Sequence, residues 1–340
     1  MTVPNNNTYN LCCLFHDPEK TIGKSWKGFP VKYQTITYSS FKSNPDINRV
    51  ISIWQNNLLA LSGMIDYCHQ NKIGLRVSSS LFPLATHPAV EKQLDYKNCR
   101  TKYSLLDLLF TRLSKSVADT GVRLSMHPGQ FNVLESEDSN VSGNAVKELN
   151  WHGWFLDQVD CPRSHWSPIN LHIHTSKGDF HSLSGRFIRG FTALDDSAKS
   201  RLTIENNDKG DGCGKSKVIT TPWHCENLLK FREVAKEYTQ GIPLCYDNLH
   251  DSLLRSPSLS PEDCFKEFYK TWQVGENKSQ IIPVFHHSES ADLTGITKPC
   301  RSHADLPSFI PKNYGLPVHW DVELKHKQIA INCLTKGHFV

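Results

Sequence analysis

Several signatures that would place this chain in a familiar class are missing from its sequence. No apolar run approaches the roughly 20 residues needed to cross a bilayer. The N-terminus, MTVPNNNTYN, has neither the basic nor the apolar region of a secretory signal. No glycine-rich dinucleotide fingerprint, P-loop, internal repeat or low-complexity tract is present. These absences argue against a membrane, secreted or repeat protein, and we expect a soluble, intracellular one.

Cysteine-based chemistry is also disfavoured, although the chain has 11 cysteines. They are scattered, no C-x-x-C occurs, and the one close pair, Cys12-Cys13, is adjacent in sequence. We expect reduced thiols and no cysteine-based zinc site. The unusual number is 17 histidines, many beside short apolar runs, which favours metal ligation. The net charge of +4 is compatible with nucleic acid without requiring it.

The hydrophobic pattern predicts alternating strands and helices. Strands are expected at 9–15, 73–77, 123–127, 168–174, 201–205, 242–247, 281–285 and 317–323, and helices at 48–71, 103–119, 143–158, 185–199, 222–238, 261–273 and from 325. About eight strand-then-helix units close a parallel barrel, and a doubly wound open sheet is the competing architecture. We predict an α/β fold, a single TIM (β/α)8 barrel over 1–340, with 1–8 as a flexible N-terminus and 331–340 as a C-terminal tail.

Metal-ligating residue types recur at the ends of the predicted strands. The set comprises His87, His127, His172, Glu205, Asp247, His250, His286, His303 and Glu323. Because the carboxyl ends of parallel strands meet at one mouth of a barrel, these side chains should converge there. Nitrogen and oxygen donors without cysteine suit Mn²⁺, Zn²⁺, Co²⁺ or Fe²⁺, and so many ligands imply two or three ions.

Taken one at a time, these residues have simpler interpretations. His87 or His303 alone is more often an ordinary loop histidine than a ligand. A glutamate at a strand end, such as Glu205, could cap the next helix, and Asp247 with His250 could be a local hydrogen-bonded pair. Their joint placement favours a metal cluster, which is the usual apparatus for hydrolysing a phosphodiester because the ions activate water and neutralise phosphate oxygens.

In the stretch RLSMHPGQF (123–131), the sequence indicates most clearly where in the fold the candidate residues lie. A short apolar strand delivers His127 at its end, and Pro128-Gly129 breaks the strand at once. The turn leaves Gln130 and Phe131, an amide beside an aromatic ring, on an exposed loop tip. For Phe131 alone, an ordinary packed loop aromatic would be the favoured interpretation.

From about residue 9 to about 330 the chain resembles the UV damage endonucleases, DNA-repair enzymes with a TIM barrel related to endonuclease IV. The resemblance is carried by RLSMHPGQF (123–131), RVSSSLFPLATHP (76–88), LTIENND (202–208), the D-x-L-H run at 247–250, HHS (286–288), SHAD (302–305) and E-x-K-x-K (323–327). It implies nicking of DNA immediately 5′ to pyrimidine dimers and other lesions, which leaves a 3′-hydroxyl and a 5′-phosphate.

The same resemblance implies a role for each matching position. All the strand-end residues named above would be metal ligands, with Glu205 as a bridging carboxylate, and the reaction centre would comprise Glu205, His127, Asp247 and Glu323. Gln130 and Phe131 match the pair that the family inserts into the duplex at the damaged site, which suits an amide and a ring filling the gap left by flipped nucleotides. The implied cofactors are two or three divalent ions, Mn²⁺ above all, with Zn²⁺, Co²⁺ or Mg²⁺ as alternatives.

Three positions depart from the family's pattern. Phe131 stands where the family commonly has tyrosine, so a hydroxyl is lost while stacking is kept. Val284 replaces a lysine that lies close to the metals, and we do not expect the neighbouring His287 to compensate. Cys12-Cys13 replaces Gly-Tyr, so an aromatic contact to the lesion is expected to be missing.

Other functions fit parts of the pattern. An abasic-site endonuclease could use the same scaffold, a sugar isomerase could use two metals at this mouth, and a damage-binding protein with reduced turnover is kept open by Val284. Candidate phosphate contacts are Arg100, Lys102, Lys177, Lys209, Lys215 and Lys217, each of which could instead be a solvated surface charge. The expected partner is double-stranded DNA carrying UV lesions. No oligomerisation motif, membrane contact or obligate protein partner is indicated, and a monomer is the default.

Overall fold

Eight parallel strands form one sheet in the computed structural model, which describes residues 7–16, 25–175, 178–209, 221–274, 279–294, 296–297 and 300–339. The strands are β1 (Asn7–Cys12), β2 (Gly74–Ser78), β3 (Leu124–His127), β4 (Ile169–His172), β5 (Leu202–Glu205), β6 (Leu244–Cys245), β7 (Val284–His287) and β8 (Val318–Val322). Their spatial order is β7-β8-β1-β2-β3-β4-β5-β6. A parallel bridge between Asp247 and His286 joins the two edges, which confirms the predicted barrel.

Amphipathic helices cover the outside of the barrel. The long ones are α1 (Ile47–Asn71), α2 (Ser104–Thr120), α3 (Ser139–Gln158), α4 (Phe180–Thr192), α5 (Cys225–Thr239), α6 (Pro261–Lys270) and α7 (Lys327–Lys336). Short helices span Tyr38–Ser43, Pro88–Glu91, Tyr96–Asn98, Cys99–Lys102, Asp196–Lys199 and Asn248–Leu253. Two small hairpins pair Ser25–Trp26 with Phe29–Pro30 and Gln273–Val274 with Ser279–Gln280. No helix in the described residues is long and apolar enough to span a bilayer.

Local chemistry sets the helix ends, and in one case it differs from our expectation. Ser260 caps α6 through a reciprocal capping box with Asp263, as the Ser-Pro sequence predicts. The expected start of α5 at 222 is wrong, because the ring of His224 accepts the hydrogen bond from the backbone N–H of Asn227 and acts as the N-cap.

Several other boundaries differ from the predicted ones. Between the strand predicted at 9–15 and the helix predicted at 48–71, where no element was predicted, the structure has a hairpin and a short helix. Residues 331–336 of the expected tail belong to α7. Strand β7 extends past 285 because His286 and His287 still pair with β8. No long helix lies between β7 and β8 in the described residues. Nine of the cysteines in the described ranges are free, as expected, but Cys300 is disulfide-bonded, so the expectation of reduced thiols fails there.

The barrel interior is unusually polar below its mouth. Apolar side chains of the strands, such as Leu75 and Met126, are fully buried. Polar residues on the alternate positions meet across the barrel, as Ser125 of β3 and Asp321 of β8 do at 3.5 Å. Gly74 belongs to this packing, since an added Cβ would lie 2.2 Å from the amide oxygen of Asn10.

Candidate metal centre

Glu205, the last residue of β5, lies at the centre of the mouth with its side chain fully buried. Histidines from four other strand ends surround its carboxylate. The nearest ring nitrogens are 2.9 Å away for His286 and 3.0 Å for His250, and those of His127 and His172 lie at 3.4 and 3.5 Å. A buried carboxylate surrounded by imidazoles offers oxygen and nitrogen ligands to a common centre.

These residues belong to three overlapping groups whose ligand atoms lie within 4.8 Å of one another. The groups are His127–Glu205–His286, His172–Glu205–His250 and Asp247–His286–Glu323. Glu205 is shared by two groups and His286 by two, so the arrangement can hold more than one ion with Glu205 between them. Seven of the predicted ligands therefore converge, and the structure contains clusters that could hold metal.

The two remaining predicted ligands are placed differently. His303 lies next to the cluster, with its Nε2 3.8 Å from a carboxylate oxygen of Glu323, because an antiparallel bridge to Ser290 folds the β7–β8 connection back over the mouth. His87 caps the helix Pro88–Glu91, accepting a hydrogen bond from the Ala89 N–H, and its ring stacks on Tyr38. Among the described residues it joins none of the ligand groups, which agrees with its simpler interpretation.

Backbone carbonyls orient three of the histidine rings. The Nδ1 atoms of His127, His250 and His303 lie 2.8, 2.9 and 3.0 Å from the carbonyl oxygens of Pro128, Asn206 and Glu323. A carbonyl can only accept, so each Nδ1 donates and each neutral ring presents the lone pair of Nε2. Such outer contacts are typical of metal-binding histidines.

Strong electrostatic coupling follows from the burial of these groups. Burial alone would raise the pKa of Glu205, but His172 and His286 hold it well below its usual range. Burial opposes a charge on His250, yet Asp247 and Glu205 raise its pKa to about 10. Burial, together with Glu205, raises the pKa of Asp247 to about 6. Burial also opposes a charge on His286, yet the neighbouring carboxylates raise its pKa, so protons on His250 and His286 balance the carboxylates, and metal ions would replace those protons.

A second, independent observation also indicates that the donor set fits divalent metal ions. Glu205 Oε1, Asp247 Oδ2 and His286 Nδ1 are buried and have no hydrogen bond of good geometry within the described part of the chain. His250 approaches Glu205 Oε1 to 3.0 Å, and His286 Nδ1 approaches the other oxygen to 2.9 Å. Unpaired buried polar atoms are costly and rare in folded proteins. Ligand atoms that face a common point without bonding one another are placed as a cation requires.

A cavity of about 350 Å³ opens above the cluster, and Gln130 and Cys13 line it together with His127 and His172. Next to Gln130, the ring of Phe131 is 83% exposed and borders a separate groove of about 710 Å³. The predicted loop tip is therefore at the mouth, with the amide turned to the cluster and the ring to solvent. Cys13 presents only a thiol at the position where the resemblance leads one to expect a tyrosine ring.

The structure describes only some of the predicted phosphate contacts. Lys177, Lys215 and Lys217 lie outside the described residues. Lys209 donates from Nζ to the carbonyl of His174 at 2.8 Å, and Arg100 is ion-paired with Asp107 at 2.7 Å. Both side chains make polar contacts within the protein, and their assignment as phosphate contacts stays a prediction.

Sequence reasoning missed the polar residues that support the ligands. Arg76 of β2 forms an ion pair with Glu323, and Asn170 of β4 donates from its amide to Glu205. Asn206 holds both the N–H and the carbonyl of Asp247 with its side chain. The sequence pattern that could have identified Arg76 and Asn170 is the period-2 alternation of strand residues. Each of the two lies two residues before the end of its strand, on the inward face. Val284 lies on this face, whereas His287 faces Asn248 outside the cluster, as expected.

The fold and this site define a class, that of α/β-barrel proteins with a potential multinuclear metal centre at the carboxyl mouth of the strands. The model of the family described as UV-endonuclease UvdE matches residues 24–338. The chain belongs to that family, and it is accordingly an endonuclease, a hydrolase.

Relatives and a solved structure agree with this assignment. A UV DNA damage endonuclease of Bacillus velezensis is 29% identical over 314 residues, covering 88% of this chain and 84% of the relative. One of Nostoc sp. is 26% identical over 308 residues, again covering 88% and 84%. The crystal structure of SacUVDE superposes with a TM-score of 0.74 over 97% of both chains at 23% identity, which shows the shared fold.

Proposed function

We propose that this endonuclease nicks double-stranded DNA immediately 5′ to UV photoproducts, leaving a 3′-hydroxyl and a 5′-phosphate. It does so inside the cell, as a monomer, with two or three divalent ions, Mn²⁺ first among them. The observation that carries the proposal is the buried Glu205 with histidines from four strand ends around it. Membership of the UV-endonuclease family and the exposed loop tip beside this cluster support the choice of substrate.

Each residue of the cluster would have its own role in holding the ions. Glu205 would bridge two ions, His172 and His250 would complete one site, and His127 and His286 another. Asp247 and Glu323 would bind a third with His286. His303 lies beside Glu323 at the rim and would complete that site, whereas His87 has no position among these groups. Bound divalent ions supply the Lewis acidity that lowers the pKa of water and neutralises phosphate oxygens.

The loop tip would supply the recognition of damage. Gln130 and Phe131 follow the strand-breaking Pro128-Gly129; Gln130 lines the cavity above the cluster and Phe131 borders the neighbouring groove. A dimer disturbs stacking, so flipping it out of the duplex costs less than flipping intact bases. The amide and the ring would fill the resulting gap, and the scissile phosphate would then lie over the ligand groups.

A nicking assay with Mn²⁺ on three labelled duplexes tests the proposal. One duplex carries a thymine dimer, one an abasic site and one no damage. We expect a nick 5′ to the dimer, and we expect Glu205→Gln to lose it by more than the roughly 100-fold that outer-shell changes cause in metal sites. Glu233→Gln, a change at an exposed position on α5, is the matched control and should cut normally.

Two other outcomes would contradict the proposal in different ways. Cleavage at the abasic site alone would assign the abasic-site activity to this centre. Tight binding of the dimer-containing duplex without a nick, by folded protein that binds Mn²⁺, would indicate a damage-binding protein in which Val284 and Cys13 outweigh the shared ligands.

A further inference from the structure

A second buried carboxylate, Asp321, lies in the barrel interior beneath the ligand groups. It is on β8, two residues before Glu323, and only 1% of its surface is exposed. The amide of Asn10 donates to its Oδ1 at 2.8 Å, and the hydroxyl of Ser125 lies 3.5 Å from its Oδ2. Two neutral hydrogen bonds do not offset the desolvation of a buried charge, so cationic or ring partners must contribute.

Two such partners connect Asp321 to the ligand groups. The Nε2 atom of His286 lies 3.6 Å from its Oδ2, and a guanidinium nitrogen of Arg76 lies at 3.8 Å. The same guanidinium nitrogen of Arg76 is ion-paired with Glu323. Asp321 therefore contacts one predicted ligand directly and a second one through Arg76.

The orientation of the His286 ring explains why the contact matters. Its Nδ1 faces Glu205 at 2.9 Å and Glu323 at 3.4 Å, and its Nε2 faces Asp321. The amide nitrogen of Asn170, which donates one hydrogen to Glu205, also lies 3.5 Å from Nε2. The negative charge of Asp321, at ion-pair distance on the same side, favours hydrogen on Nε2 and so leaves the lone pair on Nδ1, on the side of the ligand groups.

We propose that Asp321 is a positioning residue of the metal centre, which fixes the His286 ring with Nδ1 toward the ions and holds Arg76 so that Glu323 stays at the mouth. The inference rests on the proposed metal centre. It implies that a residue in the barrel interior contributes to the affinity for metal. Neither the strand-end pattern nor the ligand groups include this residue.

Removing the charge of Asp321 should act on both contacts at once. Asp321→Asn keeps the shape of the side chain, but an amide oxygen is a weaker acceptor for Nε2–H. The guanidinium of Arg76 would then be paired with Glu323 alone and would compete with an ion for that carboxylate. Loss of an outer-shell partner typically weakens metal binding 10- to 100-fold, and we expect a loss in that range.

Mn²⁺ affinity, measured by calorimetric titration of the whole metal-free protein without DNA, tests the inference. Asp157→Asn is the matched control, because it also removes a carboxylate that is ion-paired with an arginine, Arg201 at 2.9 Å, away from the ligand groups. We expect Asp321→Asn to bind Mn²⁺ 10- to 100-fold more weakly and Asp157→Asn to bind it as the wild type does. Equal affinities of Asp321→Asn and the wild type, both folded, would overturn the inference.

A second measurement tests the inference without a variant at Asp321, so it applies even if Asp321→Asn does not fold. Nitrogen NMR of histidine-labelled wild-type protein, with the His286 signals assigned through His286→Gln, reports which ring nitrogen carries hydrogen. The inference requires hydrogen on Nε2 in the protein loaded with Zn²⁺, which is diamagnetic and does not broaden these signals as Mn²⁺ does, and hydrogen on Nδ1 would overturn it. Because neither measurement uses DNA, a protein that binds Mn²⁺ but nicks no dimer would contradict the proposed substrate and leave this inference intact.

Discussion

At the residue scale, Phe131 has an exposure that packing does not explain. An aromatic ring with 83% of its surface in solvent contributes little to the core. It follows Gln130, which lines the cavity over the ligand groups, and borders the neighbouring groove. We therefore expect the Phe131 ring to act in DNA binding, where it can stack on bases.

We expect Phe131→Ala to separate damage recognition from folding. Stacking is worth roughly 1–3 kcal/mol per base, so nicking at a dimer should fall about 5- to 150-fold. The free energy of unfolding should stay within about 0.5 kcal/mol of the wild type, as is usual for surface changes. Single-turnover nicking and urea unfolding measure the two effects. Leu105→Ala, at an exposed apolar position of α2, is the control and should change neither.

Phe131→Tyr completes the comparison. It adds the hydroxyl that the family resemblance leads one to expect here and keeps the ring, so nicking should be at least that of the wild type. Unchanged nicking by Phe131→Ala would remove this ring from the recognition of damage.

At the scale of elements, the metal centre depends on how the end of β5 is tied to the end of β6. The side chain of Asn206 is fully buried, accepts from the Asp247 N–H at 2.8 Å and donates to the Asp247 carbonyl at 3.0 Å. Its own carbonyl accepts from the His250 ring. One asparagine therefore positions two predicted ligands on the neighbouring strand end.

Asn206→Ala should lower both stability and metal affinity. It leaves the buried N–H of Asp247 without its partner, at a cost of about 1–3 kcal/mol, whereas the Asp247 carbonyl keeps the hydrogen bond from the Asp251 N–H. Weaker Mn²⁺ binding, by about 10- to 100-fold, should follow because the side chain no longer holds Asp247 in place. Urea unfolding in EDTA and Mn²⁺ titration measure these effects separately. Asn56→Ala, at an asparagine of α1 that only bonds its own helix, is the control. Normal Mn²⁺ affinity in Asn206→Ala would show that Asp247 and His250 hold their places without it.

At the scale of the whole molecule, acid should destabilise the protein through histidines that are buried outside the metal centre. His152 on α3 is fully buried, its Nδ1 bonds the carbonyl of Glu148 at 2.7 Å, and burial lowers its pKa to about 4. In the unfolded chain a histidine titrates near 6.5. The unfolded state therefore binds the proton first, and stability is lost as pH falls from about 6.5 toward 4.

The expected contribution of His152 is about 1.4 kcal/mol between pH 7.5 and pH 5.5, from these two pKa values. His152→Gln cannot take up this proton, so its free energy of unfolding should fall less over that interval by about this amount. Urea unfolding at the two pH values, in EDTA, checks the difference. An equal decrease in both proteins would mean that the His152 proton is not coupled to folding.

The sequence by itself determined the barrel and the residue types at its mouth. Strand periodicity sets which residues face inward, and strand-breaking turns such as Pro128-Gly129 fix where each strand delivers its last side chain. Both are local properties, so they could be read along the chain, as could the cap at Ser260. The start of α5 was misjudged because a histidine cap is rare and its geometry depends on the packed turn.

Only the tertiary structure decided which of the candidates meet. His87 and Lys209 had the right residue types, but one caps a helix beside Tyr38 and the other bonds the His174 carbonyl. Asp321 lies outside the quoted motifs and Asn206 inside one without an assigned role, and both gain their roles from partners on other strands. The physical reason is that burial and hydrogen-bond partners come from residues distant in sequence, which local patterns do not encode.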